Sequence, residues 1–186
     1  MNREIKPAGL ADTLATFSPG FKTETGPVSV ILAAGHGKRI KSHRSKMLHA
    51  VWGVPTVVRV CRTAQQGLES DDQIVVVGIK AEEVVRAVGA HPGRLFALQR
   101  EQKGTGHAVK AGLDAVPRDG LERDFYIFPG DMGLLDTLTV RTFKQTFTAS
   151  GAHMMVMVGT YSGNPEDNYY GRIIRVPDKD AEGKPS

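Results

Sequence analysis

The chain has 186 residues, enough for one domain plus a tail, and its 40% hydrophobic content, 21 glycines and 24% charged residues exclude wholesale disorder. No run approaches the ~20 apolar residues that cross a bilayer, and the first thirty residues lack the basic start and apolar stretch of a signal peptide. A single cysteine, Cys61, excludes an internal disulfide framework and a cysteine-built zinc site, and with a net charge of +4 the expectation is a soluble cytoplasmic protein that does not engage a membrane.

Residues 1–26 mix Pro, Gly, Ser and Thr without sustained periodicity and read as an N-terminal tail, leaving residues 27–186 as the folded domain. From Pro27 onward, short β-branched runs alternate with stretches of helical spacing. Val28 to Leu32, Gln73 to Val77, Leu95 to Leu98, Phe125 to Phe128 and Met154 to Val158 are compact apolar runs of the kind buried on both faces of a sheet. Between them, Pro55 opens a segment with Val58, Cys61, Gln65 and Leu68 at helical spacing, and Ala81 to Val88 is a shorter helix. His107 to Val116 aligns Val109, Gly112, Leu113 and Val116, and Asp136 caps a segment aligning Val140, Phe143 and Phe147. Strands alternating with helices predict an α/β fold: an open, mostly parallel sheet with helices on both faces and a ligand site at the carboxyl ends of its strands.

Charge is distributed unevenly along this frame. No acidic residue lies between Glu24 and Glu69, an interval that holds Lys38, Arg39, Lys41, Arg44, Lys46, Arg59 and Arg62. A polyanionic partner follows, and composition does not choose between nucleic acid and nucleotide phosphates. The loop after the first strand decides more. Leu32, Ala33, Ala34, Gly35 and Gly37 are small or lie at a strand end, so the backbone can approach an anion and aim its N–H groups at it, with cations following directly. A dinucleotide fingerprint requires a glycine where Ile40 stands and an acidic residue about twenty positions on, and neither is present. A phosphate-binding P-loop requires glycine where Leu32 stands and Ser or Thr where Arg39 stands. A glycine-rich turn with a solvated basic face is the plain structural alternative.

Leu32-Ala-Ala-Gly-His-Gly-Lys-Arg39, then Lys46-Met-Leu-His49 and Gly53-Val-Pro55, resemble the signature of sugar-phosphate nucleotidyltransferases. Gln99-Arg-Glu-Gln102-Lys-Gly104-Thr105-Gly106-His107-Ala108, Gly130-Asp131 and Tyr170-Gly171-Arg172-Ile173 resemble, in order, further segments of bacterial N-acetylglucosamine-1-phosphate uridylyltransferases. The resemblance implies a Rossmann-like nucleotidyltransferase fold of the glycosyltransferase-A type. It also implies transfer of uridylyl from UTP to N-acetylglucosamine 1-phosphate, yielding UDP-N-acetylglucosamine, a cell-wall precursor, and pyrophosphate. Another sugar-phosphate nucleotidyltransferase and a catalytically silent nucleotide-binding module are the alternatives, and nucleic acid is not expected as a partner.

By the same resemblance Arg39 and Lys46 engage the triphosphate and Asp131 holds Mg2+. Leu32 to Gly35 with Gly37 cradle the nucleotide, Gln99, Gln102, Gly104 and Thr105 line the uridine, and Gly130 and Gly171 complete the site. Taken alone, Asp131 is equally accounted for as a turn former after a strand, Thr105 as a helix cap and Gly171 as a hairpin glycine. Gly133 stands where the family commonly has proline, which loosens the turn after Asp131. The family's further sugar and metal ligands follow the Tyr170 to Ile173 segment, and this chain ends fifteen residues after Gly171. The expectation is therefore a C-terminally incomplete domain, any oligomer being formed through a C-terminal domain beyond Ser186.

Overall fold

Four apolar runs pair as one parallel sheet in the computed structural model, which describes residues 7–21, 25–35, 45–116, 122–168 and Gly171. The strands β1 (Val28–Ala33), β4 (Gln73–Val77), β5 (Arg94–Leu98) and β6 (Phe125–Pro129) lie in the order β5-β4-β1-β6. Ile31 is in register with Val75 on one side and with Phe128 on the other. Two short strands, β2 (Ala50–Val51) and β3 (Val54–Pro55), form a separate antiparallel hairpin. The helices are α1 (Pro7–Phe17), α2 (Thr56–Leu68), α3 (Ala81–Val88), α4 (Thr105–Leu113) and α5 (Thr137–Ser150).

Alternation along the strands divides the core. Ile31, Ala33, Val75, Val77, Phe96, Tyr126 and Phe128 face one layer, where they pack with residues of α2, α3 and α5. Val28, Val30, Leu32, Ile74, Val76 and Ala97 face the other, under Ala108 of α4. A sheet covered on both faces favours apolar residues on both sides of a strand, which is why β1 from Val30 and β4 from Ile74 read as unbroken runs. The α5 start is fixed as its sequence implies: Asp136 accepts the Thr139 N–H at 2.8 Å and the Thr139 hydroxyl at 2.7 Å. Those bonds hold its carboxyl below the usual range.

Two expectations are corrected. Residues 7–17, read within a tail, form α1, whose Leu10, Leu14 and Phe17 pack against the first core layer. Ser18 Oγ, just beyond it, accepts the Phe96 N–H of β5 at 2.9 Å, so a polar side chain satisfies an edge-strand donor. Met154 to Val158, read as a buried strand, are not in a strand, and all but the half-buried Met155 are exposed, Met154 by 79%. They belong to a second compact unit, residues 153–186, whose described part contains one 3₁₀ turn (Pro165–Asp167) and no strand. An apolar run becomes a strand only where a neighbour takes its backbone groups, and none does so there among the described residues.

Cys61 lies inside α2 against the sheet, and burial, partly offset by Arg94, pushes its thiol up to about 11. At pH 8 the thiolate fraction is then on the order of 10⁻³. The folded protein is expected to resist disulfide-exchange reagents at pH 8 and to react fully in denaturant; prompt reaction of the native protein would place Cys61 elsewhere than in this core.

Candidate functional site

The carboxyl ends of all four strands contribute to one rim of the sheet. At the end of β1, Leu32, Ala33 and Ala34 are buried and Gly35 is half-buried. Gly130, just past β6, donates its N–H to Leu32 O at 3.0 Å. A Cβ at Gly130 would stand 2.9 Å from that oxygen and 3.2 Å from Met47 Sδ, so only glycine lets the two strand ends close this tightly. Gly78, past β4, is equally constrained: a Cβ there would meet Gln102 Nε2 at 2.7 Å and Ala34 O at 2.9 Å.

Lys46 opens a 3₁₀ turn (Lys46–Leu48), with Ser45 Oγ accepting the Met47 N–H at 3.4 Å. Its ammonium donates to Asp131 Oδ2 at 2.6 Å, joining the cation after β1 to the carboxylate after β6. Their side chains are 28% and 40% exposed, so the pair faces solvent and is open to a ligand. Asp131 sits in a run of turns: Gly133 N–H donates to Asp131 O at 2.9 Å and Met132 N–H to Pro129 O at 3.3 Å.

Beyond β5, Gln99 is 3% exposed, and its amide is engaged within the protein. Its Nε2 donates to Gly104 O at 3.1 Å and lies 3.0 Å from His107 Nδ1, while its own N–H donates to Val77 O at 2.8 Å. Gln99 thus fixes the turn that presents Gln102, Gly104 and Thr105, all three exposed at the start of α4. Gly104 has φ +95, a conformation that favours glycine. Lys46, Asp131, Gly130, Gln102 and the end of β1 are accordingly brought together through these contacts. Gly171 is exposed in the second unit, and Arg39 and Gly37 lie outside the described residues.

Sequence reasoning missed Gly78 and Thr56. A glycine ending the β4 run was the available sign of the first. The second left none: Thr56 Oγ1 donates to Met47 O at 3.1 Å, a bond set by the fold of the 45–56 segment.

No cluster of three or more His, Cys, Asp or Glu occurs among the described residues, and Asp131 is the rim carboxylate that pairs with Lys46. That donor set suits Mg2+, which binds through one or two carboxylates and completes its shell with water and substrate phosphates.

A match to the MobA-like NTP transferase domain spans residues 29–170. The chain belongs to that family. Among curated proteins, this NTP transferase domain is 38% identical over 159 residues to the bifunctional protein GlmU of Mycolicibacterium gilvum, covering 83% of the chain and 31% of that protein. It is 39% identical over 158 residues to the bifunctional protein GlmU of Brucella anthropi, covering 84% of the chain and 33% of that protein. The chain spans about a third of the length of these relatives. A solved nucleotidyl transferase from Methanothermobacter shares the fold, with a TM-score of 0.55 and 21% identity over 64% of this chain and 57% of that one. No described helix is long and apolar enough to cross a membrane.

Proposed function

We propose that this NTP transferase domain, assigned to residues 27–186, transfers uridylyl from UTP to N-acetylglucosamine 1-phosphate in the cytoplasm. The observation that carries the reading is the Lys46 ammonium 2.6 Å from the Asp131 carboxylate, at the carboxyl ends of adjacent strands and beside the glycine-cleared end of β1. A phosphate oxygen of the sugar phosphate attacks the α-phosphorus of UTP. The new P–O bond forms as the bond from the α-phosphorus to the α,β-bridging oxygen breaks, leaving UDP-N-acetylglucosamine and pyrophosphate.

Nothing covalent is asked of the protein, so its work is to align two anions and neutralise their charge. Lys46 serves as a point charge on the triphosphate, joined in this reading by Arg39 as a bidentate donor and by the backbone from Leu32 to Gly37. Asp131 would hold Mg2+, which when bound neutralises phosphate charge and orients the two substrates. Gln102, Gly104 and Thr105 face the uridine, with Gln99 shaping their turn.

Calorimetric titration with UTP, CTP, GTP and dTTP in Mg2+, followed by pyrophosphate release with N-acetylglucosamine 1-phosphate, tests this. The expected result is a preference for UTP and release dependent on that sugar phosphate. Preference for another base removes the uridylyl assignment, and nucleotide binding without turnover leaves a binding module.

A further inference from the structure

We propose that Arg59 is a positioning residue that holds the turn bearing Asp131, with Trp52 as its brace; the proposal rests on the reading of Asp131 as metal anchor. The turn from Asp131 to Leu135 contains glycine at its centre and two short backbone bonds of its own, Gly133 N–H to Asp131 O and Leu135 N–H to Met132 O, each 2.9 Å. Such a turn has little intrinsic rigidity, since glycine loses the most conformational freedom on ordering. Its order comes instead from α2. Arg59 Nε donates to Gly133 O at 2.6 Å and Thr63 Oγ1 to Leu135 O at 3.3 Å. Gly133 lies so close to the helix that a Cβ would stand 2.8 Å from Thr56 Cγ2.

The same helix also holds the other half of the charge pair. Thr56 Oγ1 donates at 3.1 Å to the carbonyl oxygen of Met47, the residue after Lys46. One helical face therefore sets both segments that carry Lys46 and Asp131, and Arg59 supplies the charged bond on the Asp131 side. Arg59 is itself restrained: its guanidinium lies 4.9 Å from the centre of the Trp52 ring. Trp52 is 80% exposed and has φ +49, beside Gly53 at φ +76, in the two-residue turn joining β2 and β3. A bulky residue in the left-handed region costs free energy and is uncommon. A turn that needed only to reverse the chain would be served by asparagine or glycine at that position. What tryptophan adds is a flat surface over Arg59.

The test measures Mn2+ affinity by electron paramagnetic resonance, with UTP present, in wild type, Arg59→Met, Arg59→Lys, Trp52→Ala and Asp131→Asn. Arg59→Met is expected to bind Mn2+ about 10-fold more weakly, as for other residues that orient a metal ligand. Arg59→Lys, which keeps a donor for Gly133 O, should recover most of that loss, a rescue that thermal stability alone would not produce. Trp52→Ala should lie between wild type and Arg59→Met; being a surface change, it decides the matter if Arg59→Met fails to fold. Metal affinity lost in Asp131→Asn but kept in Arg59→Met, or in Trp52→Ala where that variant decides, overturns the Arg59 proposal alone. Affinity kept in Asp131→Asn overturns the anchor reading beneath it.

Discussion

Asp131→Ala is expected to abolish metal-dependent UTP binding and lower kcat/KM by about 10²-fold or more while leaving the fold intact. The two halves of that expectation have different origins. The Lys46–Asp131 pair is part exposed, and pairs of that kind contribute about 0–1 kcal/mol to stability. Loss of the carboxylate therefore leaves the melting temperature nearly unchanged. Its loss to function is larger because the described residues hold no cluster of three or more metal-ligating side chains to take over. Lys46→Ala supplies the complementary sign. Without nucleotide, the ammonium at 2.6 Å competes with any divalent ion for Asp131 Oδ2, so Lys46→Ala should bind Mn2+ alone more tightly than wild type. With UTP the order reverses, because a charged hydrogen bond to phosphate worth about 1.5–3 kcal/mol is gone. Titrations of Mn2+ with and without UTP measure both. Equal effects of Lys46→Ala in the two titrations would show that the pair does not gate the metal.

How far such a site can be read in advance depends on whether its determinants are local. The strands β1 and β4 were legible because two-sided burial imposes continuous apolar runs, whereas β6 buries alternate residues and leaves Ile127 exposed; α5 was legible because its apolar positions recur at helical spacing behind the Asp136 cap. The same logic misread Met154 to Val158, since an apolar run carries no information on whether a neighbouring strand is there to receive it. α1 escaped because Leu10, Leu14 and Phe17 make a stripe of one helical length, and its stability comes from packing on β5 and α3. In the site, the chemistry of Lys46 and Asp131 was visible as motif residues, but they are 85 positions apart. Their contact follows from β1 pairing with β6. The Arg59 bond to Gly133 O was illegible for a further reason: a backbone carbonyl carries no residue-type signature, and the two partners are 74 positions apart.

At the opposite rim, Arg123→Met is expected to destabilise the protein by about 3–5 kcal/mol without changing the affinity of the folded protein for UTP. Arg123 and Asp72 form an ion pair at 2.8 Å with side chains 2% and 0% exposed. The guanidinium also donates to Gly26 O at 2.7 Å and Thr25 O at 3.0 Å and lies 5.2 Å from the Phe21 ring. Those contacts gather the segments leading into β1, β4 and β6, since Gly26, Asp72 and Arg123 each precede a strand by one or two residues. The Asp72 backbone adds to the clamp, its carbonyl accepting the Ser29 N–H at 3.0 Å. Truncating the arginine leaves a buried carboxylate deprived of that guanidinium, which costs more than the pair contributes when intact. For a protein of this size the loss corresponds to a fall in melting temperature of about 10 °C. Neutralising both partners in Arg123→Met/Asp72→Asn should recover part of it, because the buried carboxylate charge is then removed as well. Calorimetric unfolding of the two variants decides. A double variant no more stable than Arg123→Met would assign the effect to the carbonyl bonds of Arg123 and the packing on Phe21, leaving the buried charge with no measurable share.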